Sequence, residues 1–502
     1  MSLLSGLVQS VEKAGATAGR ALRSRRDLFA LGALAAAWRA AAKAVPGEYQ
    51  PLAKHGPSET SWLVNRLGYG TTGADLALAE SLGWEGYLEY QLDYEAIDDS
   101  ALDARLAPYT TLGMTPQELV ALQRGQVIAE QIEAAVIRSL YSRRQLYERM
   151  VEFWTDHFNI DINLGEEWWL KPVDDREVIR TYALGNFGDL LRASAHSPAM
   201  LYYLDNHVSV VGNPNENYGR ELLELHTMGV TGGYTQHDVE EVARCFTGWG
   251  LFFRNQGANT GRFRFTAAQH DNGAKVVLGV NIPAGGGIND GETVLNLLIN
   301  HPSTGRFVSQ KMCNWLWGPG APDWVVDAVS DTYFATGGEI KDMIRTIFAL
   351  RRDVPLGPTK YKRPYHHFIA TLRGLNANLT NLRAIRTQLA AAGHVPFSWG
   401  PPDGYPDTLE YWVGGILPRW NFGFSLVNNQ LSGATVDPTA FFAGLTTADQ
   451  MVARINQVLF GGQMSAVEQE EIRAFLAVSP GSLQRKRDAL ALATSAPGFQ
   501  WF

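Results

Sequence analysis

The chain has 502 residues, 45% hydrophobic and 19% charged, with 14 Trp, 18 Tyr and 22 Phe. That composition is globular, long enough for a large core or two domains and too aromatic for intrinsic disorder. A formal charge of −8 argues against a nucleic-acid partner. The two cysteines, Cys245 and Cys313, have no CxxC spacing, which excludes a zinc cage or a disulfide framework. They read as two buried thiols, with one disulfide as the alternative.

The first 44 residues stand apart. "SRRDLFALGALAAAWRAAAKA" carries an arginine pair, Arg25-Arg26, then a short apolar stretch, Leu28 to Ala37, then Ala42-Lys43-Ala44, an A-x-A cleavage pattern. The apolar stretch is too short to span a bilayer. The order resembles a twin-arginine export signal, which makes the export machinery a partner and the mature chain periplasmic or extracellular. These residues carry a net +5, so their removal takes the chain from −8 to −13. No membrane span is expected in the mature chain.

Residues 45–57 read as a linker, and 58–502 as one large, mainly α, multi-helical domain. "SETSWLVNRLGYG" offers a cap, a short helix and a glycine stop. Gly68 to Gly73, "GYGTTG", is formally G-x-G-x-x-G but follows a helix rather than a strand, so it reads as a loop and not a dinucleotide site. "LYERMVEFWTDHF" places Leu146, Met150, Phe153 and His157 on one stripe, which makes His157 a core histidine. Glu152 and Asp156, near Arg149, read as a surface ion cluster. Thr235 and Asp238 form a near capping box for a helix that buries Val239, Val242, Ala243 and Phe246. A small β-hairpin is expected near 261–280, turning at Asp271-Asn272-Gly273. Helical runs fill roughly 290–350, 361–392 and 446–497. Between the last two, a Gly/Pro/Trp-rich ordered loop is expected near 393–421.

The segment "NPNENYGRELLELHTMGV", Asn213 to Val230, concentrates amide, carboxylate and guanidinium groups on one helix. On a regular wheel, Arg220, Glu221 and Glu224 fall within about 60° of Asn217, and His226 lies about 180° away. Tyr218, Leu222 and Leu225 form the apolar stripe, and Gly229 is a natural stop. One reading is a solvated stripe in which Arg220 pairs with Glu216 and Glu224. The other is a glutamate pair, Glu221 and Glu224, in a cleft, where like charges separate an acid from a base. Asp205 and Asn206 precede the helix in a loop that could fold against Asn217 and Glu221, leaving room for a divalent metal; Asx-turn capping is the competing explanation. His270, not needed by turn chemistry, is a further candidate ligand.

"NENYGRELLELHTMGV" followed by "GGYTQHDVEEVARCFTGW" resembles the signature of the bacterial family called Domain of Unknown Function 1800. "ERMVEFWTDHFNI", "SPAMLYYLDN", "HPSTGRFVSQKM", "YKRPYHHFIATLRGL" and "PPDGYP" resemble its other segments, with Tyr405 and Gly498 as departures. The resemblance spans nearly the whole mature chain. It implies that the Asn-Glu-Arg helix belongs to the family's identity and that an export signal is in keeping, and it implies no reaction.

Three functions follow from different classes. The first is an exported enzyme acting on a polymer, a glycan among the options, with Glu221 and Glu224 in acid–base roles, Arg220 setting charge and Asn217 orienting a hydroxyl. The second is a metal- or cofactor-dependent redox enzyme, with Asp205, Glu221 and His270 as ligand candidates. The third is a non-catalytic envelope protein with an extracellular or envelope partner, its polar helix an internal salt-bridge network. The catalytic reading expects Asn217, Arg220, Glu221 and Glu224 to face the interior or a cleft floor.

Overall fold

The computed structural model describes residues 59–352, 354 and 360–502. The export-type segment and the linker lie outside the described residues. Helix α1 (Glu59–Leu67) stops at the glycine loop, and Thr72 caps α2 (Gly73–Leu92) by accepting the Asp75 amide. Gly70 has φ +78°, and a Cβ there would come within 2.8 Å of the Ala370 Cβ. The loop is therefore a helix stop where two segments approach closely, as its context predicted.

Helices α3 (Arg124–Tyr141) and α4 (Gln145–His157) follow, and the Leu146, Met150, Phe153, His157 stripe is buried. Helix α5 (Glu167–Asp174) runs directly into a π turn, Asp175–Ile179. Next come α6 (Phe187–Ala195), α7 (Pro198–Tyr203) and α8 (Glu216–Glu221), and α8 continues as a second π turn, Leu222–Thr227. The capping box of Thr235 and Asp238 opens α9 (Gln236–Cys245), with Val239, Val242 and Ala243 on the buried face.

The β elements lie close to where they were expected, with a different register. Strand β1 (Trp249–Leu251) pairs with β2 (Phe263–Phe265), and β3 (Lys275–Val277) with β4 (Val280–Ile282), both antiparallel. The hairpin turns at Leu278-Gly279, both at positive φ, which matches strand twist in a two-residue turn. Asp271 does not turn a hairpin. Its carboxylate accepts the Gly273 amide at 2.9 Å and pairs with Arg244 at 2.8 Å, so the Asx turn is real and the pairing inferred from it is not.

Helices α10 (Asn289–Ile299), α11 (Pro302–Leu316), α12 (Asp323–Thr336) and α13 (Ile340–Arg352) pack in sequence. The last third contains α14 (Pro364–Gly374), α15 (Arg383–Ala391), α16 (Ile416–Val427), α17 (Ala448–Phe460), α18 (Ala466–Ala477) and α19 (Leu483–Ser495). A two-residue bridge, β5 (Asn378–Leu379) with β6 (Ala434–Thr435), ties this part together. The expected 393–421 loop is shorter than its composition suggested. A helical turn at Leu409–Trp412 and the start of α16 fall inside it.

One hydrophobic cluster runs from Trp62 to Phe348, and a second is built from 365–499 with Tyr69, Val136, Ile137 and Leu140. Helix α14 is buried along its whole length. Cys245 and Cys313 are buried and unpaired. Among the described residues no helix is long and apolar enough to cross a membrane.

Candidate functional site

The signature helix is built by its own asparagines. Asn215 caps α8 by accepting the Asn217 amide at 2.9 Å, and Asn217 donates to the Leu204 carbonyl at 3.3 Å. Gly219 is needed for packing, because a Cβ there would sit 3.2 Å from the Ala243 nitrogen of α9. Beyond Glu221 the α ladder widens. The Thr227 hydroxyl donates to the Leu222 carbonyl at 2.6 Å, and the Met228 amide to the Leu223 carbonyl at 2.9 Å. A regular wheel therefore fails past residue 222, and the segment buries Leu223, His226 and Thr227 as well as Tyr218 and Leu222. Gly229, at φ +79°, ends it against Phe307.

The polar stripe is left at the edge of this packing. Asn217 is exposed, which corrects the expectation that it would be enclosed. Arg220 is 36% exposed and pairs with Glu216 at 3.1 Å and Glu224 at 3.8 Å, as the solvated reading predicts. It also donates to Gln236 at 2.9 Å. Glu221 differs. It is half-buried, and burial, Glu224 and the more distant Asp403 hold its carboxyl above the usual carboxylate range, against the opposing effect of Arg220.

Asp403 belongs to the loop that packs on α4. Its carboxylate accepts the Trp399 indole N–H at 2.8 Å. Asn159 donates to the Trp399 and Pro401 carbonyls at 2.9 and 2.7 Å. Gly404, at φ +75°, lies so close to α4 that a Cβ would come 2.1 Å from the Asp156 carbonyl oxygen. The same Asp403 supports the charge of Lys311 on α11. Glu221, Asp403, Lys311 and Asp156 are thus linked electrostatically around one region where α8, α4, α11 and the 399–407 loop meet.

The floor of that region is a buried ion network, not a surface cluster as the i, i+4 spacing suggested. Arg363 donates to Asp156 at 2.6 Å and also bonds Glu152. Arg149 reaches Glu152 at 2.7 Å, and Tyr69 donates to it at 2.8 Å. Burial alone would raise Glu152, but Arg363 and Arg149 hold it below its ordinary value. Asp156 goes the other way, pushed up to about 6 by burial that Arg363 only partly offsets. Lys311 is pushed down to about 8 by burial, although Asp156, Asp403 and Asp407 favour its charge. Lys360, bonded to Asp407 and to the Asn314 carbonyl, is also lowered to about 8 by burial. A cavity of about 50 Å³ opens beside Tyr69, Ser139, Thr155, Asp156, Tyr365 and His394, room for about three or four waters.

The metal candidates do not come together. Asn206 is structural, donating to the Phe246 and Trp249 carbonyls, and Asp205 is exposed, offering its carbonyl to Asn215. His270 is buried between the Thr247 carbonyl at 2.8 Å and Asp290 at 3.1 Å, and Lys275 completes the group by reaching Asp290 at 2.6 Å. Among the described residues no three His, Cys, Asp or Glu side chains converge to hold a metal, and Asp205, Glu221 and His270 form no such site. His157 is the expected core histidine, its Nε2–H donating to the His226 carbonyl at 3.1 Å.

Sequence reasoning missed Lys311, Lys360, Arg363, Asp403 and Asp407. The signal was present in "KYKRPYHHF", a cationic run wedged between aromatics, where a solvated run would be flanked by polar residues.

Fold and site together define a mainly helical protein with a buried network of carboxylates, arginines and lysines between its helices. The chain matches the model of a family described as "Protein of unknown function (DUF1800)" over residues 62–501 and belongs to that family. No curated protein and no solved structure matches it significantly.

Proposed function

We propose that this protein is an exported enzyme that acts on a polymer outside the cytoplasm, a glycan by preference, through carboxylate acid–base chemistry. The observation that carries the reading is the half-buried Glu221, its carboxyl raised by burial and by Glu224 one turn away. A carboxyl so raised holds a proton closer to neutrality and can donate it to a leaving oxygen, while Glu224, ion-paired to Arg220, remains the accepting partner. Arg220 sets the local charge, and Asn217, exposed at the rim and anchored by its amide N–H on the Leu204 carbonyl, turns its Oδ1 to orient a hydroxyl. Asp156 and Lys311, with their shifted proton affinities, supply further proton donors and acceptors nearby. Export fits the arginine pair, apolar stretch and A-x-A order of residues 25–44 and the acidic mature chain.

The test is release of reducing ends from purified envelope polysaccharide by the mature protein. Wild type should release them, and Glu221→Gln, folded with unchanged Tm, should lose at least about a hundredfold in rate. Equal activity in the two proteins would remove Glu221 from the chemistry.

A further inference from the structure

A second cleft, of about 570 Å³, lies apart from these residues, where the π turn Asp175–Ile179 leaves α5. Its walls come from α5, the end of α6, the Thr115–Gln117 segment and the approach to β2. The volume is that of a small-molecule site. Single π turns inside helices occur often at functional sites, and here the turn places Arg176, Glu177 and Val178 on the cleft wall.

The lining divides into an apolar body and an unbalanced positive edge. Leu170, Val178 and Phe263 supply apolar wall. The charge of Asp174 is already paired, since Lys171 reaches Oδ2 at 2.6 Å and Ser197 donates to Oδ1 at 2.7 Å. Arg176 is fixed by donating to the Leu112 and Met114 carbonyls at 2.8 and 3.1 Å. Its remaining edge meets Glu177, whose side chain is 62% exposed, and such a pair is worth little in water. Arg262 forms no ion pair among the described residues. Once the internal pairs are cancelled, the cleft of an acidic protein is left with uncompensated guanidinium charge above an apolar wall.

We propose that this cleft binds an organic anion with an apolar body, its acidic head at Arg262 and Arg176 and its body against Leu170, Val178 and Phe263. Guanidinium suits the planar, two-oxygen head of a carboxylate, and the solvated Glu177 yields its place on Arg176 to the ligand. This site does not depend on the chemistry proposed at Glu221.

The experiment is calorimetry of the mature protein with 2-naphthoate as the anionic probe and 2-naphthalenemethanol as its neutral counterpart. Saturable binding of naphthoate at one site is expected, with the alcohol weaker. Arg262→Ala should weaken naphthoate by about tenfold or more and leave the alcohol unchanged. Glu177→Gln should tighten naphthoate by freeing Arg176. Ala258→Trp, placed on an exposed turn at the cleft wall, should block both probes without lowering Tm. The absence of saturable naphthoate binding, its survival in Ala258→Trp, or its indifference to Arg262→Ala would each overturn the proposal.

Discussion

Arg363 reaches two carboxylates at once, with only 4% of its side chain exposed and Glu152 and Asp156 at 12% and 18%. Removing it strands the Asp156 carboxyl and leaves Glu152 only Arg149 and Tyr69, so Arg363→Ala should cost about 3–5 kcal/mol in denaturant unfolding. Asp156→Asn keeps an acceptor for the guanidinium and should cost about 1 kcal/mol. Arg220, a third exposed, answers differently: Arg220→Ala should stay within about 1 kcal/mol of wild type, where an enclosed Arg220 would have cost several times more. Glu167 is fully buried, and among the described residues neither of its carboxylate oxygens has a hydrogen-bond partner. Burial, then Asp174, hold its proton affinity well above the ordinary glutamate value of about 4.5. Below that value both folded and unfolded chains are protonated, and no stability is at stake. Above it the folded state alone keeps the proton, so folding weakens as pH rises. Glu167→Gln should therefore raise Tm at about pH 7 and change it little at about pH 4, and a lower Tm at neutral pH would reveal an ionised, partnered Glu167.

At the scale of elements, periodicity made most helices legible, because amphipathic runs such as 145–157 are read from apolar spacing alone. The capping box at Thr235 and the stops at Gly70 and Gly229 were legible for the same local reason. What escaped was non-local. The π turn after Glu221 depends on the i−5 bond of Met228 and on helices α10 and α11 packed against it, and no wheel contains that. The hairpin register was misassigned because Asp271-Asn272-Gly273 is a genuine Asx turn whose strands pair elsewhere. The polar floor was hidden for a third reason. Its central cation, Arg363 of "KYKR", lies about two hundred residues from the glutamate and aspartate it meets. The element that closes the site is the 399–407 loop, and Gly404 sets its approach to α4. Gly404→Ala meets both the positive φ and the Asp156 carbonyl, so it should lift the loop, seen as faster proteolysis near Trp399. An unchanged digest would show that the loop seats without that contact.

For the whole molecule, two large hydrophobic clusters supply most of the core. Charge at this scale bears on address. Export by the twin-arginine route predicts that changing both Arg25 and Arg26 to Lys retains the protein in the cell, visible by fractionation, while unimpaired secretion of that variant would contradict the reading. Acid–base catalysis by a raised Glu221 beside Glu224 is tested most directly by the pH dependence of reducing-end release from envelope polysaccharide. The rate should fall as pH rises through neutrality, because Glu221 loses the proton it must donate. A rate that climbs through neutrality, or a profile that Glu221→Gln leaves unchanged, would contradict it.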